Sequence, residues 1–249
     1  MTISSGKSLQ FWIGSFSEVA VILLGPLTPL RRLIILISGR GSNMQALVQA
    51  CREEGWPAQI VAVIASRPDA AGLAWAGAQG LATAALNHKD FSSREAFDKA
   101  LAQEIDRHEP DYILLAGFMR VLTPFFVNRY VGRIINIHPS LLPAFPGLHT
   151  HAQALAMGVQ VHGCTVHFVT PALDEGPIIA QGCVPVLMGD TPDKLAARVL
   201  QVEHQVFPAA VRWLAEGRIT LTPANRVLVQ GEPTRLFLWR AGTGEGKYD

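Results

Sequence analysis

Apolar and polar positions from residue 33 onward alternate between two rhythms. Residues 33–37 form an unbroken apolar run that ends in Ser38-Gly39-Arg40-Gly41-Ser42-Asn43, a buried strand followed by a tight turn. Met44, Leu47, Val48 and Cys51 then fall on one face of a helix. Strand-like runs return at 60–64, 81–86, 112–116 and 133–138. Between them lie an alanine-rich helix over 72–79 closed by Gly80, and a short helix over 123–130. Ser92 and Glu95 are spaced as a capping box for a third helix, which carries Phe97, Leu101 and Ile105 on one face and stops at Pro110. Strands that are apolar throughout, alternating with helices, predict a parallel sheet covered on both faces.

Beyond residue 138 the pattern changes. Residues 164–169 alternate, and 177–181 and 183–187 follow closely as two further strands, which predicts a partly antiparallel continuation. Thr191 caps a long helix with Pro192 in its first turn; Leu195, Val199, Val202 and Val206 mark its buried side, and Pro208 is expected to kink or split it. Residues 226–238, with Gly231-Glu232-Pro233 in the middle, read as a terminal hairpin, and the glycine-rich 241–249 as a loose tail. The fold class is therefore α/β: a Rossmann-like open, mostly parallel sheet with helices on both faces and a partly antiparallel C-terminal part. Without internal repeat or linker, 31–240 reads as a single domain.

The first thirty residues stand apart. Their apolar stretch is interrupted by Glu18, Gly25, Pro26 and Pro29, too broken for a membrane span. Lys7 is the sole basic residue ahead of it and no small-x-small site follows, so a signal peptide is a poor match. Residues 1–30 are left as an extension: packed on the surface, disordered, or the product of a start codon placed too early.

Composition narrows the function. The 249 residues are 49% hydrophobic and 16% charged, with formal net charge +1, so a folded core is expected and the basic excess of a nucleic-acid binder is missing. Cys51, Cys164 and Cys183 are odd in number and show no C-x-x-C spacing, which fits reduced thiols in the cytoplasm.

Candidate chemistry sits at strand ends, where open α/β sheets place their ligands. In Gly39-Arg40-Gly41-Ser42-Asn43, glycines allow close backbone approach and the following helix offers free N–H groups, so an anion cradle and a plain tight turn are both open. A Walker loop is excluded by the absence of Gly-Lys-Ser/Thr, and a dinucleotide fingerprint by Met44. Arg67 at the tip of the second strand keeps a weak NADP reading open. Asn136 and His138, at i and i+2 of a strand end, share a face; an amide beside an imidazole suits an oxyanion and a mobile proton, although strand-end histidines are commonly structural. Asp174 in a turn-rich loop could orient His138, if the two meet. His149, His151, His162 and His167 lack metal-site spacing, so no metal is expected, and His167 reads as a hydrogen-bonded structural residue.

Five blocks together carry a resemblance: Ser38-Gly39-Arg40-Gly41-Ser42-Asn43, Ala116-Gly117-Phe118-Met119-Arg120, Asn136-Ile137-His138-Pro139-Ser140-Leu141-Leu142-Pro143, Pro146-Gly147-Leu148-His149 and Leu173-Asp174-Glu175-Gly176-Pro177. In order, over about 33–221, the chain resembles the phosphoribosylglycinamide formyltransferases, within the folate-dependent formyltransferases. The Asn-x-His…Asp set marks the wider group and the first block the narrower family. The resemblance implies catalysis by Asn136, His138 and Asp174. It implies substrate contacts from Gly41, Ser42 and Asn43 to phosphate, with Leu200 and Glu203 on the ribose side. It implies contacts to 10-formyltetrahydrofolate from Arg94, Met119, Arg120, Val121, Leu122, Asn136, Thr170, Pro171, Ala172, Leu173 and Asp174. Partners are thus a phosphorylated ribonucleotide and a folate, with no nucleic acid or membrane, for a monomer or homodimer.

Arg40 stands where relatives often carry Asn, and the extension has no counterpart in single-domain members. A formyltetrahydrofolate hydrolase would be expected to carry a regulatory domain ahead of the catalytic one, and a methionyl-tRNA formyltransferase a basic barrel after it; the chain length disfavours both. A non-catalytic nucleotide binder and an NADP-linked oxidoreductase are the readings from other classes.

Overall fold

The computed structural model describes residues 30–240; the extension and the tail considered above fall outside the described residues, Leu30 apart. The first half alternates β1 (Arg31–Ile37), α1 (Ser42–Glu53), β2 (Ala58–Ala65), α2 (Ala71–Ala78), β3 (Thr83–Ala85) and α3 (Arg94–Asp106). It continues with β4 (Tyr112–Leu115), α4 (Pro124–Arg129), β5 (Ile134–His138) and α5 (Thr150–Met157). The second half comprises β6 (Val161–Phe168), β7 (Ile178–Pro185), α6 (Pro192–Ala215), β8 (Ile219–Leu221), β9 (Val227–Val229) and β10 (Leu236–Leu238).

Eight strands form one sheet in the order β10-β7-β6-β5-β4-β1-β2-β3. All neighbours are parallel except β5–β6 and β6–β7. The apolar β1 shows why the sheet is covered twice. Leu33, Ile35 and Ile37 pack with Met44 and Leu47 of α1 and Val199, Val202 and Val206 of α6. Ile34 and Leu36 face Phe97, Leu101 and Ile105 of α3 and Phe126 of α4. Each such fully buried side chain contributes roughly 1.5–3 kcal/mol over exposure. From β1 the chain winds outward to β2 and β3, then returns to lay β4 and β5 on the other side. That reversal opens a crevice at the carboxyl ends of β1 and β4.

Several expectations are corrected. The cap of α3 is Ser93, whose Oγ accepts the Ala96 N–H at 3.1 Å; the residue at the third helical position is then Ala96, so no capping box forms. The segments 177–181 and 183–187 are one strand, β7. Gly182 reads as a break but serves packing: a Cβ there would lie 2.2 Å from Val202 Cγ1. Helix α6 runs unbroken through the buried Pro208 because its apolar side is held along its length by the sheet and α1. The terminal hairpin is β8 with β9, antiparallel, while β10 leaves it to pair with β7 in parallel, its Phe237 ring 6.2 Å from Trp213. The 219–221 strand follows α6 after so short a turn that its pattern is hidden in the sequence.

Candidate active site

Residues from the ends of β4, β5 and β6, together with α1, α5 and α6, line a cavity of about 450 Å³ over the crevice. At one end stands the loop before α1. Its cap is Gly41 at φ 74°, in the left-handed region that glycine enters freely, and no side chain caps the helix. The first-turn N–H groups of α1 are therefore open to an anion. Asn43 Nδ2 donates to Glu203 Oε2 at 2.7 Å, tying this loop to α6. Burial pushes the Glu203 carboxyl above its ordinary range, against the opposing pull of the Asn43 hydrogen bond. Asn43 Oδ1 is buried without a protein partner.

The wall carrying Met119, Arg120, Val121 and Leu122 is pinned at both ends. Ser38 Oγ accepts the Met119 N–H at 2.8 Å, and the buried Asp98 accepts the Thr123 N–H and Oγ1–H at 2.7 and 2.6 Å. Met119, Val121 and, across the cavity, Leu173 remain exposed apolar surface ready for a flat ligand.

The antiparallel step from β5 to β6 builds the reactive centre. It sets Asn136 opposite His167 and His138 opposite Thr165. His167 Nδ1 faces the Phe168 carbonyl at 2.9 Å, so this nitrogen carries the proton; Nε2, 3.2 Å from Asn136 Nδ2, then accepts from the amide. Burial lowers the His167 pKa, which keeps this acceptor available. One amide proton of Asn136 is thereby fixed and the other is left for a ligand.

His138 is bracketed in turn. Its Nε2 donates to the Phe145 carbonyl at 3.1 Å, and Nδ1 lies 3.6 Å from Asp174 Oδ2, an ion pair when the ring is protonated. Asp174, at φ 56°, also accepts the Gly147 N–H at 2.9 Å, so the two loops over the cavity are tied together. Beneath them Thr165 Oγ1 donates to the Ser140 carbonyl and accepts from the Leu142 N–H and Gln181 Nε2. This set can bind a phosphate at one end and polarise a carbonyl at the other.

Residues 31–211 match the formyl transferase family. This chain belongs to that family. It is 50% identical over 189 residues to the phosphoribosylglycinamide formyltransferase of Escherichia coli K12, covering 76% of this chain and 89% of the relative. A glycinamide ribonucleotide transformylase structure from Symbiobacterium toebii superposes with TM-score 0.78 at 43% identity, covering 91% of this chain and 99% of that one. A phosphoribosylglycinamide formyltransferase structure from Brucella melitensis gives TM-score 0.71 at 53% identity, covering 77% and 98%.

In this formyl transferase the cavity gathers Asn43, Met119, Arg120, Val121, Leu122, Asn136, His138, Thr170, Pro171, Ala172, Leu173, Asp174 and Glu203. Gly41 and Ser42 adjoin it along the chain without lining it. Arg94 is exposed at the start of α3, and Leu200 is half-buried one turn before Glu203; neither lines the cavity. Sequence reasoning missed the His167–Asn136 pairing, for which the alternation of 164–169 was the available signal once β6 is set beside β5. It also missed Thr165, whose role depends on a loop returning from far along the chain. Among the described residues no group of three or more His, Cys, Asp or Glu could hold a metal ion, and no helix is long and apolar enough to cross a membrane.

The cavity wall carries a pH-sensitive contact. His162 Nε2 lies 3.2 Å from His151 Nδ1, joining β6 to α5 of the formyl transferase fold. Burial, then the charge of His151, lowers His162 to about 4. A histidine whose pKa falls on folding takes up protons preferentially when unfolded, so stability is whole above about 6.5 and declines as pH falls towards about 4. The expected loss is on the order of 2–3 kcal/mol by pH 4. Urea unfolding of His162→Gln should show a shallower decline over that window than the parent; parallel curves would remove His162 as the cause.

Proposed function

We propose that this chain transfers the formyl group of 10-formyltetrahydrofolate to the amine of 5-phosphoribosylglycinamide in purine biosynthesis. The products are formylglycinamide ribonucleotide and tetrahydrofolate. The observation that carries this is the joining, in one cavity, of an uncapped helix start beside Asn43–Glu203 with the Asn136–His138–Asp174 cluster. The phosphate rests on Gly41, Ser42 and Asn43, and the ribose hydroxyls lie towards Glu203 and Leu200. The pterin lies along Met119–Leu122 and the 170–174 loop, with Arg94 towards the outer end of the folate.

The glycine amine attacks the formyl carbon, forming a C–N bond and a tetrahedral oxyanion. Asn136 donates its free amide proton to that oxygen, and protonated His138, its ring held between Asp174 and the Phe145 carbonyl, stabilises the charge electrostatically. The amine loses a proton, the bond from carbon to the folate nitrogen breaks, and that nitrogen takes up a proton. Residues 31–240 act as one domain, as a monomer or homodimer in the cytoplasm.

Release of tetrahydrofolate, followed optically from 10-formyltetrahydrofolate, tests the reading. Release is expected when glycinamide ribonucleotide is present. Equal release without it would show a hydrolase, and no release under either condition would overturn the catalytic reading.

A further inference from the structure

The loop assigned to the substrate phosphate is buttressed by a neighbouring helix. Its far side rests on the first turn of α2, at Gly72, a buried residue with no part in the cavity. The Gly72 N–H donates to the Gly39 carbonyl at 3.1 Å. A Cβ on Gly72 would stand 3.1 Å from the Arg40 carbonyl oxygen, 3.2 Å from that of Gly39 and 2.6 Å from Ile37 Cδ1. On the loop side, a Cβ on Gly41 would come within 3.4 Å of the Gly72 Cα. The two backbones therefore approach closely, with Ile37 Cδ1 beside both and Met44 Cε 2.9 Å from a Cβ on Gly41.

The consequence follows from peptide geometry. In a trans peptide the N–H points opposite to the carbonyl of the preceding residue. With the carbonyls of Gly39 and Arg40 turned towards α2, the N–H groups of Arg40 and Gly41 point away from it. Among the described residues neither amide meets a protein acceptor. They extend the row of open donors at the start of α1, and successive backbone N–H groups of this kind form an anion-binding concavity.

We infer that Gly72 is a positioning residue for the substrate phosphate: its hydrogen bond and its bare Cα hold two loop carbonyls on the α2 side, presenting the Arg40 and Gly41 amides to the ligand. This rests on the phosphate-loop reading above, and the test separates the two. Steady-state kinetics are measured with glycinamide ribonucleotide and with its dephosphorylated ribonucleoside.

The parent should strongly prefer the phosphorylated substrate; equal use of both would end the phosphate-loop reading itself. Given that preference, Gly72→Ala should raise KM for the ribonucleotide about 10- to 100-fold, the worth of one hydrogen bond to a charged group. Its kcat, its KM for the folate and its kcat/KM for the ribonucleoside should stay within about twofold. Gly77→Ala, in the same helix but with nothing within 4 Å of the added carbon, serves as the silent control. The double variant Ile37→Val/Gly72→Ala removes the 2.6 Å side-chain contact and leaves both carbonyl contacts, so the KM effect should persist in it. Should the single variant not fold, the relieved double variant carries the same comparison. An unchanged preference for phosphate, an equal loss on both substrates, or recovery in the double variant would each overturn the role of Gly72.

Discussion

Asn136→Ala is expected to lower turnover about 10²–10³-fold, the usual cost of one oxyanion donor, with a melting curve close to the parent's. The expectation of an intact fold comes from the surroundings of the side chain. Asn136 is half-buried and its amide has one protein partner, His167 Nε2 at 3.2 Å, on the rim of the cavity. His138→Ala should fall by a similar factor, since it removes the imidazole that lies 3.6 Å from Asp174 in the same cavity. His167→Ala should cost less than either, because the Asn136 amide remains and loses only its orientation. Turnover at saturating substrates, read beside a thermal melt, checks all three. Near-parent turnover in Asn136→Ala or His138→Ala would sink the catalytic assignment.

Gly176→Ala is expected to destabilise the protein by about 3 kcal/mol or more, because Gly176 is buried against β6. The added carbon would sit 1.7 Å from the Phe168 carbonyl oxygen, and a backbone atom in a strand cannot rotate aside. The same crossing is bound by the Phe168 N–H donating to the Pro177 carbonyl at 3.0 Å, so relief would require parting β6 from the start of β7. Asp174 lies two residues away, and the variant should lose activity along with stability. Urea denaturation is the measurement. A midpoint unchanged from the parent would mean that the close approach relaxes at little cost. Gly77→Ala should by contrast gain roughly 0.5–1 kcal/mol, the ordinary helix preference for alanine.

Much of the fold was legible because periodicity reports burial directly. The run 33–37 is buried on both faces and reads that way, and the stripe from Met44 to Cys51 faces the core as its spacing predicts. Legibility failed where a residue serves a distant neighbour. Gly182 and Pro208 look like breaks within their own segments, and only the packing of α6 on β7 shows why neither interrupts its element. The local motif at Ser92 missed by one residue because Ser93 is an equally good cap. In the site, Asn136 and His138 were readable as a pair on one strand face. Their meeting with Asp174 depends on a loop that passes over the sheet after β6 and returns, which no local pattern encodes. The tie between Asn43 and Glu203 joins residues 160 positions apart and was equally out of reach.

The short β10 has a bearing on handling the protein. Its three residues pair with 181–183 in the middle of β7, covering outer backbone groups that would otherwise face solvent. A chain cut before Thr234 would keep every residue of the cavity but leave an uncovered border able to template pairing between molecules. The damage should surface as lost soluble yield and growing particle size on storage, while freshly purified enzyme still turns over.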